Sequence, residues 1–432
     1  MAMLGRKTLL CAALTFGALP LAHPAGANNG LTLIGTGAES VAMGGADVAV
    51  ARDTSALGTN PAGLSQVRGS AHDGFLAVAF ALDNTHADRF GNDQPISNWI
   101  APVAGAGFAQ HVTGTGLIFG VGLFAQAGAG NIYNHLNTPF GGQDTLRAQF
   151  GVLKLTPGLA WQATEQLALG AVLNIHYASF DQRIFPNVSV FDPQNPAQSY
   201  FGTEIKNASA VRYGAKVGAL YKPEPTLSLG LTYSPQVNIP FDNGQLIANF
   251  SALGLGRVTY RDVRLQGFAL PEEIAAGIAW QPMSQLLLAF DVTWSNYHRA
   301  LRSQTLVASG PDDPRAPPTI ASTTALDWRN QTVFAAGLAY SPDDANRYYA
   351  GVNYGRNPIP ANTVNPLLAA IGELHLTTGF ARRLDDLWSV TAALEYLVPN
   401  EVTYYNPQLP FGPGARERVS YIAINLMFSR RW

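Results

Sequence analysis

Cysteine, charge and long apolar runs are all scarce in this 432-residue chain, and each shortage excludes a class of protein. A single cysteine cannot form a disulfide framework within the chain. Charged residues make up 13% of the sequence, about half of their share in an ordinary soluble domain. Mean hydropathy is only +0.05, which excludes a membrane protein made of many long apolar helices. The formal net charge of −2 offers no basic surface, so we expect no nucleic-acid partner.

The one long apolar stretch lies at the N-terminus, where KTLLCAALTFGALPLA follows Arg6 and is succeeded by small residues at positions 25–27. A positive start, an apolar centre and a small-residue end predict a secretory signal peptide over residues 1–27. The alternative is a transmembrane anchor, but prolines interrupt the run before it reaches the length of a membrane span. Cleavage would remove Cys11, and the loss of Arg6 and Lys7 would take the net charge from −2 to −4.

From about residue 75 onward, apolar residues recur at every second position, which is typical of β-strands. A soluble sandwich also alternates in this way, but its strands average about six residues. Many of the segments here are longer, as transmembrane strands must be. We predict fourteen strands, starting near residues 73, 99, 115, 149, 166, 208, 226, 269, 285, 328, 345, 373, 387 and 418.

The connections between these strands alternate in length. Tight turns such as ATEQ, KPEPT and QPMSQ follow the even-numbered strands, and long polar loops follow most odd-numbered strands. Short turns at one end, long loops at the other and an even strand count are typical of bacterial outer-membrane proteins. The sequence therefore predicts a 14-stranded antiparallel transmembrane β-barrel over residues 71–432 in the outer membrane, with both termini on the periplasmic side.

The last predicted strand, ERVSYIAINLMFSRRW, has apolar residues at alternate positions, including Phe428, and ends on the aromatic Trp432. This pattern resembles the signal that the barrel assembly machinery of the outer membrane reads. Arg430 departs from the apolar pattern, although an arginine near the membrane interface costs little. The alternative is an ordinary edge strand of a soluble sheet.

Residues 28–70 do not follow the strand pattern and are rich in glycine and alanine. Small residues allow a backbone to pack closely against a wall. The stretch GTNPAGLSQV within this region also contains an Asn-Pro turn. We interpret the region as a plug, or hatch, inside the barrel.

The stretches AMGGADVAVARDTSALGTNPAGL and LPEEIAAGIAWQPMSQLLLAFDVTWSNYHRAL, with the aromatic last strand, resemble the FadL-type outer-membrane transporters of long-chain fatty acids and hydrocarbons. The resemblance implies that Asn60, Pro61 and Ala62 form the turn of an N-terminal hatch. It also implies a kink in the third strand that opens the barrel wall sideways, at Gly128 and Gly130. Glycines in strands do permit bulges. The alternative is that these two glycines only begin a long loop.

A carboxylate ligand needs a cation in the lumen. Strand alternation predicts that Arg329 faces inward, and the resemblance implies a basic residue near the bound carboxylate at this position. Arg183 lies close to a second such position, although its alternation points outward. Lys154, Arg212 and Lys216 also have inward alternation, but without support from the family. The alternative for all of them is a solvated charge in a wet lumen.

The sequence contains no recognisable catalytic, metal-binding or nucleotide-binding set, so we expect neither an enzyme nor a cofactor. We predict a monomeric channel for passive uptake of hydrophobic molecules, with long-chain fatty acids as the leading substrate. Substrate would bind in the lumen, shift the hatch and leave sideways among the outer-membrane lipids. The alternatives are a channel for aromatic hydrocarbons or alkanes, an outer-membrane enzyme that acts on lipid, and an adhesin.

Overall fold

The computed structural model describes residues 29–67 and 69–432. The signal peptide predicted for residues 1–27, with Cys11, lies outside the described residues. Within them, no helix is both long and apolar enough to cross a membrane.

Fourteen strands form the wall of the molecule. In chain order they are β1 (Ser70–Ala81), β2 (Ile100–His111), β3 (Leu117–Ala129), β4 (Gln143–Gln162), β5 (Leu167–Val190), β6 (Tyr200–Glu224), β7 (Leu227–Ser234), β8 (Glu273–Met283), β9 (Leu286–Ser295), β10 (Gln331–Tyr340), β11 (Asn346–Gly355), β12 (Leu374–Arg383), β13 (Trp388–Tyr404) and β14 (Ala415–Arg431).

Each of these strands pairs antiparallel with the next, and β14 pairs with β1 from Ala71↔Arg431 to Ala81↔Tyr421. Closure of the ring supplies partners for the backbone N–H and C=O groups, which a bilayer demands. The predicted fold class, a closed 14-stranded antiparallel barrel, is confirmed. The largest error in a predicted strand start is at β6, which begins at Tyr200 rather than near residue 208.

The connections alternate in length, as predicted. The short turns comprise residues 112–116, 163–166, 225–226, 284–285, 341–345 and 384–387. The long-loop end of the described chain carries short strands at Thr85–Ala87, Asp93–Pro95, Ile132–Asn137, Val237–Asn238, Gln245–Phe250, Gly256–Gln266, Ala269–Leu270, Ser303–Pro311 and Thr319–Ala325.

Helical segments are few and short. They are α1 (Ala38–Ala42), α2 (Tyr297–Ala300) and the 3₁₀ turns Thr54–Leu57, Pro61–Gln66, Pro196–Gln198, Ser251–Leu253 and Pro366–Leu368. Those that precede residue 70 belong to the N-terminal segment, which we define as residues 29–67.

The outer face of the wall is apolar and exposed. On β5, Leu173 is 49% and Tyr177 43% exposed, whereas Asn174 and His176 between them are buried. A continuous apolar band of this kind would be an aggregation hazard in water, but it is what lipid-facing strands need. The period-two pattern of the sequence therefore separates a lipid face from a lumen face.

Three aromatic or basic side chains, from β13 and the end of the chain, lie together at the short-turn end. The Arg430 guanidinium lies 5.6 Å from the ring centre of Trp388 and 5.0 Å from that of Trp432. This cation–π packing explains how Arg430 is accommodated beside aromatic residues. Phe428 is 56% exposed on the outer face. The role of Phe428 and Trp432 as an assembly signal stays a prediction.

The N-terminal segment lies inside the ring of strands, with its backbone against glycines of the wall. A Cβ atom added to Gly230 would be 2.2 Å from the Val48 carbonyl oxygen, and one added to Gly351 would be 2.3 Å from the Gly44 nitrogen. Leu57 and Met43 are fully buried in two apolar clusters shared with the wall. The absence of a side chain at these wall positions is what allows the close approach.

We therefore predict that Gly230→Ala lowers the stability of the barrel by about 1–3 kcal/mol, because the added methyl group collides with the backbone of Val48. Gly74→Ala is the matched control, since a Cβ there has no atom within 4 Å in the described structure. Heat-dependent mobility of the purified protein on gels would measure the unfolding temperature. Equal temperatures for the two variants would contradict the packing described.

Candidate functional site

An apolar cavity of about 310 Å³ lies at the long-loop end of the barrel. Side chains of β5, β6 and the short strands above them form its sides, and Leu31 of the N-terminal segment forms part of its base. In the described part of the chain, none of its lining residues carries a charge. They are Leu31, Phe180, Gln182, Ile184, Thr203, Ile205, Leu246, Leu265, Phe268, Leu301, Gln304, Leu306, Ile320, Ser322, Thr324, Leu326, Trp328, Ile359, Thr363, Asn365, Leu368, Gln408 and Leu409.

Packed aromatic rings hold one side of this apolar cavity. Phe268 stacks on Phe150 with ring centres 5.0 Å apart and lies 5.3 Å from Phe180. Phe241 continues the cluster behind them. Ring pairs at these separations are favourable beyond their buried area. The cavity therefore has a preformed aromatic wall suited to flat or flexible apolar molecules.

Neither predicted ligand-binding arginine lines the apolar cavity. The alternation that placed Arg329 inward does not extend to it, because β10 begins at Gln331 and the backbone turns at Asp327, where φ is +47°. Trp328 enters the cavity instead, and Arg329 is exposed. The Nε atom of Arg183 lies 3.3 Å from Glu204 Oε2, outside the cavity. Ligand contact by either arginine stays a prediction.

A second cavity of about 130 Å³ lies deeper in the barrel and is polar. Lys154, Lys216 and Glu273 line it, so the two lysines face the lumen as their alternation predicted. The Lys216 ammonium donates a hydrogen bond to the Gly58 carbonyl oxygen at 3.0 Å. Arg212 is occupied elsewhere, since its guanidinium donates to the Pro240 carbonyl oxygen at 2.7 Å.

The wall has an opening between β2 and β3. Pairing of these two strands ends at Ala106↔Leu123, although β3 stays paired with β4 as far as Ala129↔Phe150. The register of β3 against β4 shifts at Gln126, which marks a bulge. A third cavity, of about 50 Å³, reaches this opening and is lined by Val103 to Gly105, Phe124 and Ala125 among others.

The two glycines predicted to kink the third strand lie just beyond that bulge. Gly128 pairs in regular register with Gly151 of β4. Gly130 follows the end of β3 at φ +149°, where a Cβ atom would be 2.3 Å from the Ala148 carbonyl oxygen. The irregularity itself is therefore two residues before Gly128. Their role in a lateral opening stays a prediction.

The three cavities follow one another along the N-terminal segment. Leu31 lines the apolar cavity and Thr32 the polar one, while Leu33, Gly35 and Thr36 line both the polar cavity and the one at the wall opening. Thr32 also forms a β-bridge with Ala127 on the part of β3 that has left β2. One short stretch of chain thus borders all three of these cavities.

The predicted hatch turn is tied to the segment and to the wall by one side chain. The Asn60 carbonyl oxygen Oδ1 accepts the Ala62 N–H at 3.1 Å, which starts the 3₁₀ turn at Pro61. Its Nδ2 group donates to the carbonyl oxygens of Val48 at 2.7 Å and Ala219 of β6 at 3.1 Å. Asn60 is fully buried. The geometry explains the need for asparagine, while movement of this turn stays a prediction.

Two carboxylates of the wall hold the N-terminal segment through its backbone. Asp291 Oδ2 on β9 accepts the N–H groups of Asp47 at 2.6 Å and Val48 at 2.8 Å. On β1, Asp73 Oδ2 accepts the Thr54 N–H at 2.9 Å. Sequence reasoning missed both carboxylates. The sequence did contain a sign of them, because each is an isolated acidic residue on the lumen side of an otherwise apolar strand.

The Asp47 carboxyl of the segment is itself fully enclosed. Burial raises the pKa of Asp47 to about 6, against the opposing effect of the Ser40 hydroxyl, which donates to Asp47 Oδ2. Within residues 29–67 and 69–432, no group of three His, Cys, Asp or Glu side chains could hold a metal ion. The buried carboxylates described above serve to fix the N-terminal segment.

Residues 24–420 match the model of a family described as outer membrane protein transport protein (OMPP1/FadL/TodX). Among solved structures, the P. putida toluene transporter TodX is 20% identical with a TM-score of 0.76, covering 93% of this chain and 99% of its own. The Ralstonia pickettii toluene transporter TbuX is 18% identical with a TM-score of 0.73, at coverages of 93% and 99%. A Pseudomonas aeruginosa FadL homologue is 16% identical with a TM-score of 0.73, at the same coverages. No curated protein matches the chain.

We predict that Asp291→Ala loosens the N-terminal segment, because two buried N–H groups lose their acceptor at a cost of about 2–4 kcal/mol. Single-channel recording in planar bilayers should then show frequent ion-conducting openings. Thr293→Ala is the control, since Thr293 is on the same strand and lines the polar cavity. An Asp291→Ala protein as silent as its control would contradict the anchoring role.

Proposed function

The chain belongs to the outer membrane protein transport family (OMPP1/FadL/TodX), and from this premise we propose that it admits uncharged hydrophobic molecules, above all aromatic hydrocarbons. Members of this family transport hydrophobic molecules across the outer membrane and are channels rather than enzymes. The finer proposal, the class of substrate, is supported by one observation. The 310 Å³ cavity has three aromatic rings in its wall and no charged lining residue among the described residues.

A buried site without a cation disfavours an anionic substrate. A carboxylate placed there would lose its hydration with no charge to compensate, which is costly in an apolar surrounding. An uncharged aromatic molecule loses only unfavourable apolar hydration on entry. The solved toluene transporters that share the fold give the same substrate class a precedent.

We propose a route that runs from the long loops through the apolar cavity, past the N-terminal segment, to the opening between β2 and β3. The segment acts as the hatch, and residues 31–36 are the part that must yield. From the opening, an apolar molecule partitions into the membrane along a downhill gradient. No energy source is required for this step.

Long-chain fatty acid uptake is the second candidate, and the polar cavity favours it. Lys154 is 4% exposed and lies with Lys216 on the route, so a carboxylate could be held there while its tail occupies apolar space. If fatty acid uptake is the function, removal of the Lys154 charge should lower the uptake of oleate. The uncharged substrate requires no cation anywhere on the route.

Filling the apolar cavity tests where the substrate binds. We predict that Thr203→Trp lowers the initial rate of toluene uptake at least about tenfold, because an indole would occupy the binding space. Val211→Trp is the matched control, since Val211 lies on the same strand with 49% exposure on the lipid face. Uptake of radiolabelled toluene by cells that lack other such channels measures both. Equal rates in the two variants would exclude this cavity from the route.

A cross-link between β2 and β3 tests the lateral exit. The register of these strands, continued past its last pair, would bring Ala104 opposite Ala125. We predict that the oxidised Ala104→Cys/Ala125→Cys protein takes up toluene at least about fivefold more slowly, because closing the gap blocks the exit, and that a reductant restores the rate.

The Gln110→Cys/Phe119→Cys pair is the matched control, because it lies on the same outer face where the strands are already paired. Its oxidation should leave uptake unchanged. Full uptake by the oxidised Ala104→Cys/Ala125→Cys protein, with the disulfide confirmed by mass spectrometry, would rule out exit through this opening.

A further inference from the structure

Four basic side chains lie close together on the outer face of the wall, toward the long loops. They are Arg147 on β4, Arg183 on β5, Lys206 on β6 and Arg257 on the adjoining short strand, and we refer to them as the basic patch. Their outward direction follows from strand alternation. The residues beside Arg183 along β5, Gln182 and Ile184, line the apolar cavity and so face inward.

The basic patch contains more positive than negative charge. Glu204 is its main acid, with Oε2 at 3.3 Å from Arg183 Nε and 3.0 Å from Lys206 Nζ. The other oxygen of Glu204 accepts a hydrogen bond from Arg257. The neighbouring Asp181 accepts the backbone N–H of Asn207. Four cations face two carboxylates, which leaves two positive charges without a counter-charge.

Two of these cations are placed directly against each other. Arg147 is opposite Arg183 in the register of β4 and β5. Like charges at directly opposed positions destabilise a sheet. Arg147 donates to the neutral side chain of Gln149, which does not relieve the repulsion. An anion between the two guanidinium groups would relieve the repulsion and would accept hydrogen bonds from both of them.

The position of the basic patch along the membrane normal indicates which anion could reach it. Below it on β5, the exposed apolar face runs from Leu169 to Tyr177. Arg183 is six residues further toward the long loops, or roughly 15 Å above Tyr177 after allowance for strand tilt. Aromatic residues mark the membrane interface. The patch therefore lies at the level of the head groups of the outer leaflet.

We propose that the basic patch is a binding site for the phosphate groups of an outer-leaflet lipid, with Arg147 and Arg183 as its main contacts. Guanidinium groups bind phosphate oxygens through paired hydrogen bonds. The two uncompensated charges match a lipid with two phosphate groups better than a zwitterionic one. Such a lipid would fix the height of the barrel in the membrane beside the strands that enclose the apolar cavity.

Native mass spectrometry of the detergent-solubilised full-length protein tests the proposal, with bisphosphorylated lipid A as the probe. We expect the apparent affinity of Arg147→Gln/Arg183→Gln for this lipid to fall at least about tenfold. Arg382→Gln/Arg383→Gln removes two exposed arginines at the short-turn end and should bind as the wild type does. Equal affinities in all three proteins would overturn the proposal.

A variant that is expected to bind the lipid more tightly distinguishes a loss of binding from damage to the fold. Glu204→Gln removes the acid that competes with phosphate for three of the cations, so it should increase the affinity for lipid A. Decreased or unchanged affinity would count against the site. A third arm adds inorganic phosphate at equal molar concentration. Displacement of the lipid by phosphate would mean that the patch binds the free anion, which would also overturn the proposal.

Discussion

The wall of this protein depends on one constraint, which is that its backbone hydrogen bonds must be made within the chain because a bilayer supplies no water. Closure of β14 on β1 meets the constraint around most of the ring. Between β2 and β3 the pairing ends at Ala106↔Leu123, so the backbone of β3 beyond this pair has no partner on β2. There the bridge between Thr32 and Ala127 brings the N-terminal segment to the separated strand. The opening and the segment are thus parts of one arrangement.

The N-terminal segment packs against the wall and also borders the interior cavities. Its backbone approaches wall positions that have no side chain, such as Gly230 and Gly351, and its N–H groups are held by Asp291 and Asp73. Residues 31–36 border the three cavities, and the anchored residues Asp47 and Val48 line the polar cavity as well. The segment is therefore both fixed to the wall and exposed to the interior spaces.

The strands and their order could be predicted because a lipid face and a lumen face impose a period of two on the sequence. The site could not be predicted in the same way. The contact between Asp291 and Asp47 joins residues 244 positions apart, and no local pattern encodes it. Strand alternation predicted that Arg329 faces the lumen. Because β10 begins only at Gln331, that alternation does not extend to Arg329. The family resemblance implies a kink at Gly128 and Gly130, whereas the register shift of β3 against β4 lies at Gln126, and no local pattern fixes that register.

The central claim is that the route accepts uncharged hydrophobic molecules because its apolar cavity offers no counter-charge. The most direct test is a comparison of radiolabelled toluene and benzoate, which share a ring and differ by a carboxylate, in cells with this protein as their sole channel of the family. The account predicts toluene uptake well above cells without the protein and benzoate uptake at the background rate. Benzoate uptake equal to or faster than that of toluene would contradict it.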